Sequence, residues 1–365
     1  MDRTDNYFII LPHPAGGFAA VEGYSSYTEA PQVSYNDDSY KTILDAIKSV
    51  EDKETEYGFT VDKSCFLILS RVVTDTLPLD GLGVARPPFK TQLLKWIGNK
   101  QRLAPEILAN FPSRFATYHE PFLGSGGVLG TLAPERAYAS DVLRPLMEIW
   151  QLLEDDPAQL VANYGRYRDR IEAGEDKVAV YRDALASFNR EPNGADFVFL
   201  SRACYGGVVR FRQNDGAMST PCGAHMPVPT ASFKKRVQEW SLRVQGTTFR
   251  TMDFREAFSD VRAGDMVYCD PPYTDSQTIL YGAQAFKLHD LIEAIDHAKS
   301  KGASVALSID GTKKSGLKEV LHDFPDGLFV SEVGVTVGRS MLRRFQLGGE
   351  TLEAEVVRDR LLLTY

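Results

Sequence analysis

From residue 89 to the C-terminus, short apolar runs alternate with stretches whose apolar residues recur every three or four positions. Residues 136–141, 248–254, 266–269, 303–309 and 360–365 read as strands, and residues 143–188 and 288–301 as helical. Met147, Trp150, Leu153, Leu160 and Tyr164 fall at core spacing in the first helical stretch, and Leu291, Ile292, Ile295 and Ala298 in the second. Strand–helix alternation of this kind predicts an α/β protein with a doubly wound sheet. Residues 154–245 differ in character. From Asp196 onward they are rich in Gly, Pro and Arg and interrupt a pattern that resumes at residue 246.

Residues 1–88 form a third region, expected to be a small α+β module. Tyr7 to Leu11 and Phe18 to Val21 flank a Pro/Gly stretch and predict a hairpin. Ile43, Leu44 and Ile47, behind Ser39 as a cap, predict a helix over 39–50, and 65–69 is an apolar strand. Gly81, Gly83, Pro87 and Pro88 mark a linker. The expected organisation is 1–88 as a module of open role, 89–153 with 246–365 as the main domain, and 154–245 as an inserted domain.

Charge sharpens this division. The net charge is −8, but residues 1–88 carry 14 acidic against 7 basic side chains, whereas 196–250 carry 8 basic against 3 acidic. A local basic face matters more to a polyanion than the global sum, so the inserted region is the candidate nucleic-acid surface. No apolar run approaches the ~18 residues that a membrane span requires. The four cysteines lack metal-ligand spacing, and a cytoplasmic location with reduced thiols is expected.

The residues that carry chemistry cluster at predicted strand ends. Glu120-Pro121-Phe122-Leu123-Gly124-Ser125-Gly126 precedes a helix, where glycines let the backbone approach a ligand and N–H groups point outward. Asp141 follows at a distance suited to ribose hydroxyls, and Asp253 ends another predicted strand. Asp270-Pro271-Pro272-Tyr273 combines an acceptor, a proline-stiffened loop and a stacking face, a set that suits an amino-bearing heterocycle lifted from a nucleic-acid stack. Trp96 is placed to stack on a cofactor, and Lys95 or Lys100 to meet a carboxylate. Arg202, Arg210, Arg212, Lys234 and Lys235, among aromatics and amides, suit phosphate contact, as does the basic stretch with Arg339, Arg343 and Arg344.

With these residues in view, 89–365 resembles the adenine-N6 DNA methyltransferases of the DNA adenine methylase type (D12 class, alpha group). The family's Lys-Trp-x-Gly-Gly-Lys motif corresponds to Lys95–Lys100, its glycine loop to Glu120–Gly126 and its Asp-Pro-Pro-Tyr to Asp270–Tyr273, in the family's order. One departure is Asn99 in place of the second glycine. The resemblance implies a Rossmann-like methyltransferase sheet with an inserted target-recognition domain, S-adenosylmethionine as cofactor and double-stranded DNA as partner. It implies that Trp96, Lys100, Glu120, Pro121, Phe122, Gly124, Ser125, Gly126, Asp141, Asp253 and Phe254 hold the cofactor. Asp270 and the Pro271 carbonyl would accept the N6 hydrogens of a flipped adenine stacked on Tyr273, with Pro272 stiffening the loop and no metal involved. It leaves room for a restriction or defence-system partner without identifying one. The residue chemistry by itself leaves open a catalytically silent subunit, or transfer to RNA adenine or cytosine N4.

Overall fold

The computed structural model describes residues 6–12, 18–24, 86–272, 286–310, 312–313, 318–319, 324–338 and 357–365. The chain divides into two compact units, Met1–Asp80 and Gly81–Tyr365. In the first, β1 (Asn6–Pro12) and β2 (Phe18–Tyr24) pair as an antiparallel hairpin from Asn6↔Tyr24 to Pro12↔Phe18. The helix expected over 39–50 and the strand over 65–69 lie outside the described residues.

The second unit is built on a seven-stranded sheet. Its elements run α1 (Ala104–Leu108), β3 (Tyr118–Glu120), α2 (Gly127–Leu132), β4 (Ala137–Asp141), then the helices α3 (Arg144–Asp155), α4 (Pro157–Glu172), α5 (Lys177–Arg190), α6 (Gly194–Ala203) and α7 (Thr230–Arg243). There follow β5 (Thr247–Thr251), α8 (Phe254–Ser259), β6 (Met266–Cys269), α9 (Leu288–Ser300) and β7 (Ser304–Asp310). A two-stranded pair, β8 (Thr312–Lys313) and β9 (Lys318–Glu319), precedes β10 (Ser331–Gly338) and β11 (Val357–Leu363). The strand order is β10-β11-β7-β6-β3-β4-β5, with β3 to β7 parallel and the last two strands antiparallel. The chain winds outward from β3 to β5 and then restarts at β6 on the other side of β3. The junction of β3 and β6 is therefore the switch point, where such sheets open a crevice at their carboxyl edge.

Side-chain alternation explains why β6, in the middle of the sheet, is buried on both faces and carries no charged residue. Met266 and Tyr268 pack into one core with Trp150, Tyr164 and Trp240 of the helical insertion, whereas Val267 and Cys269 pack into the other with Leu291, Ile295 and Phe258. Helices cover both faces. Met147, Trp150, Leu153, Leu160 and Tyr164 are all fully buried, as their spacing predicts.

The stretch expected to be helical over 143–188 is three helices. Asp156 and Asp176 each accept from a backbone N–H three residues on and so start a new helix. The region from Asp196, expected to be loop-rich, also contains α6 and α7. Asn193 caps α6 through the Asp196 N–H, and every residue of α6 is buried except Ala195, so it shows little amphipathic period. In α7, Phe233, Val237 and Trp240 form the buried stripe behind an exposed Lys234-Lys235. Among the described residues no helix is long and apolar enough to cross a membrane.

Candidate active site

The carboxyl ends of β3, β4 and β6 converge on one cleft with a cavity volume of about 230 Å³, lined among others by Trp96, Lys100, Glu120, Gly124, Asp141 and Asp270. The glycine loop forms its floor. Gly124 and Gly126 have φ of +48° and +62°, a region that L side chains enter at a cost of roughly 1–2 kcal/mol. A Cβ on Gly126 would stand 2.9 Å from the Trp150 ring, so the close approach also requires glycine. The turn is closed from within by Gly126 N–H donating to the Leu123 carbonyl and pinned from outside by Trp150 Nε1 donating to the Gly124 carbonyl at 3.1 Å.

Three carboxylates border the cleft, and one of them, Asp141, holds the loop. Asp141, at the tip of β4, accepts from Gly124 N–H at 3.1 Å through Oδ2 and from Leu143 N–H at 3.0 Å through Oδ1. Burial raises its pKa, and these backbone donors oppose the rise. Glu120, at the tip of β3, accepts through Oε2 from the Tyr118 hydroxyl at 2.7 Å and from Leu129 N–H at 3.0 Å. Burial, assisted by the nearby Asp270 charge, still pushes its carboxyl up to about 8. Asp253, expected to end a strand, instead caps α8 by accepting from Arg255 N–H at 2.9 Å. Strand β5 stops at Thr251, because the cap takes the chain out of the sheet. Beside it, Phe254 stacks on Phe122 with centroids 5.3 Å apart, and Phe286 closes the apolar wall.

Asp270 follows β6 at the switch point. Its Oδ1 accepts from Lys100 Nζ at 2.8 Å, while a fifth of the side chain remains exposed. Lys100 is buried and also stands 3.5 Å from Asp359 Oδ2 of β11, a residue that the sequence pattern did not single out. Burial alone would lower the Lys100 pKa, but Asp270 and Asp359 outweigh it and hold it above the usual lysine value. Pro271 is buried and Pro272 half-buried, and both line the cleft. Tyr273 lies outside the described residues. Asn99, the departure from the family motif, accepts from Gln101 N–H at 2.7 Å through its side chain, a local turn that fixes the backbone by hydrogen bonding. Among the described residues no group of three or more His, Cys, Asp or Glu side chains is placed to hold a metal ion.

The candidate phosphate contacts divide. Arg210, Arg212, Lys234 and Lys235 are exposed. Arg210 and Arg212 extend from a turn closed by Arg212 N–H to the Ala217 carbonyl and Ser219 N–H to the Arg210 carbonyl, with Arg212 paired to Asp215 at 2.6 Å. Arg202 is a correction. It is 4% exposed, and its Nη1 donates to the Gln92 and Leu93 carbonyls at 3.0 and 2.6 Å, so its guanidinium braces the segment before Trp96 instead of facing solvent. Arg339, Arg343 and Arg344 lie outside the described residues.

A sequence model of the D12 class N6 adenine-specific DNA methyltransferases matches residues 96–325. The type II methyltransferase M1.LlaDCHI of Lactococcus lactis subsp. cremoris is 27% identical over 241 residues, 62% of this chain and 83% of its own length. A DNA adenine methylase of Vibrio cholerae is 26% identical over 233 residues, covering 59% of this chain and 79% of the relative. The retron Ec67 DNA adenine methylase of Escherichia coli is 25% identical over 265 residues, covering 68% and 87%. The match takes in the glycine loop, the inserted helices and the Asp-Pro-Pro-Tyr loop, more than half of the chain, and the protein belongs to the D12 class of N6 adenine-specific DNA methyltransferases.

Proposed function

We propose that the cleft binds S-adenosylmethionine and that the enzyme methylates N6 of an adenine turned out of a DNA duplex. The observation that carries this is the meeting of the glycine loop and Asp270 on one cleft at the switch point. The residues fit the cofactor. The stacked Phe122–Phe254 wall suits an adenine face, Asp141 and Asp253 suit hydroxyl and amino donors, and the glycines leave room for close backbone approach. When bound, the cofactor supplies an electrophilic methyl on a sulfonium.

The chain's own residues orient the amine. Asp270 and the Pro271 carbonyl accept the two N6 hydrogens, turning the nitrogen lone pair out of conjugation and stabilising the positive charge that develops on it. Tyr273 stacks on the flipped base, offsetting about 1–3 kcal/mol of the unstacking cost. Lys100 is engaged with Asp270, so we place it at the junction between cofactor and target instead of at the cofactor alone. Arg210, Arg212, Lys234 and Lys235 contact phosphates, the helical insertion between β4 and β5 reads the target, and Arg202 supports it from inside.

Incubating the protein and labelled S-adenosylmethionine with DNA and, in parallel, with RNA, then mapping modified bases by sequencing, tests this reading. N6-methyladenine at a defined sequence is expected. Label confined to RNA or to cytosine, or no transfer at all, would overturn it.

A further inference from the structure

Beneath the cleft lies a set of buried charges that the orientation of the amine does not by itself explain. Lys100 sits between two carboxylates from different strands of the sheet, Asp270 after β6 and Asp359 on β11. Strand β11 is the antiparallel strand on β7, where Asp359 is 6% exposed. A carboxylate buried in a sheet is costly unless paired, and the Lys100 ammonium is its counter-charge. Among the described residues, Glu120 from β3, Tyr268 from β6 and Ser308 from β7 also stand around this cluster.

We propose that Asp359 is a positioning residue for methyl transfer: acting through Lys100, it fixes the orientation of the Asp270 carboxylate that meets the target amine. A lysine has four rotatable bonds, and one carboxylate at the cleft edge leaves its ammonium free to follow that carboxylate. A second carboxylate, held by the hydrogen-bonded sheet, anchors the ammonium at one point and so pins Asp270 Oδ1. Sharing also weakens the hold of Lys100 on Asp270, leaving Asp270 a stronger acceptor than it is in a one-to-one pair. This inference rests on the role proposed for Asp270.

The test compares full-length wild type, Asp359→Asn, Asp359→Glu, Lys100→Met and the double variant Lys100→Met/Asp359→Asn on a duplex that the wild type methylates. Asp359→Asn is expected to lower kcat roughly 10- to 100-fold, the size of effect that misplacing a reacting group produces. KM for DNA and calorimetric affinity for S-adenosylmethionine should change little. Removing the Asp359 charge should also move the acid limb of the kcat–pH profile to lower pH, since one negative charge fewer then acts near Asp270 and competes for Lys100. Asp359→Glu should restore most of kcat, and the double variant should be no slower than Lys100→Met.

An unchanged kcat and pH profile in Asp359→Asn would overturn the proposal. So would an equal loss of kcat in the Lys100→Met background, or a loss that follows a fall in Tm and is not restored by Glu. Should Asp359→Asn not fold, the Glu variant and the comparison in the Lys100→Met background decide the matter. A wild type that methylates no adenine would instead sink the proposed function and leave this coupling aside.

Discussion

Replacing Glu120 with Gln isolates the energetics of one buried carboxyl. Glu120 is 3% exposed, and burial raises it from 4.5 to about 8 despite the Tyr118 and Leu129 donors on Oε2. In the unfolded chain the same group ionises near its ordinary value. Between these two pH values the folded state therefore binds one proton more than the unfolded state. Its contribution to stability is complete below about pH 4.5 and is lost as pH rises through about 8. The slope is about 1.4 kcal/mol per pH unit, so from pH 5 to pH 8 the wild type should lose roughly 4 kcal/mol relative to Glu120→Gln. That is a large fraction of the roughly 5–15 kcal/mol that stabilises a typical domain.

Urea unfolding followed by tryptophan fluorescence measures this cleanly. The three tryptophans, Trp96, Trp150 and Trp240, all lie in the Gly81–Tyr365 unit, so the signal reports that unit alone. His119, buried against Asp265, is common to both proteins, and burial pushes the Cys204, Cys222 and Cys269 thiols above their ordinary range. The gap between variant and wild type should widen steadily from pH 5 to pH 8. A gap that stays flat to within about 1 kcal/mol would refute burial as the controlling influence on this carboxyl.

Asp270→Ala should abolish methyl transfer while leaving calorimetric S-adenosylmethionine binding largely intact; loss of both would show that the two roles are not separate. Gly126→Ala places a side chain at φ +62° and 2.9 Å from the Trp150 ring, and should cost roughly 1–2 kcal/mol from the backbone alone in urea unfolding. An unperturbed midpoint would show that the loop has another conformation available. Arg210→Ala should weaken DNA binding and shallow its log K against log salt slope by about 0.9 if one phosphate contact is lost. Arg202→Ala should leave that slope unchanged and lower Tm, because it takes the guanidinium donor from the buried Leu93 carbonyl, whereas the Gln92 carbonyl keeps Arg236. A changed slope in Arg202→Ala would return it to the DNA face.

The parts of the site that were legible in the sequence are those whose geometry is set within a few residues. A strand of alternating buried faces followed by a turn puts Asp270 at a carboxyl edge whatever lies elsewhere, and the glycine loop owes its conformation to its own φ values. The parts that were not legible depend on partners far along the chain. An arginine among aromatics and glycines has the same local signature whether it meets phosphate or, as Arg202 does, two backbone carbonyls more than a hundred residues away. Helix α7 was hidden for a related reason: the Lys234-Lys235-Arg236 run draws attention from Phe233, Val237 and Trp240, whose spacing is helical.

Asp359 is the extreme case, a single carboxylate before an apolar strand end, with no motif around it. Its significance comes entirely from the sheet order, which sets β11 beside β7 and so brings Asp359 against a lysine from far earlier in the chain. Motifs thus mark where Asp270 stands, while the sheet decides what stands behind it. A carboxylate that must present one oxygen to a substrate depends on both. Its acceptor strength follows from the shared counter-charge as much as from its own position in the Asp-Pro-Pro-Tyr loop.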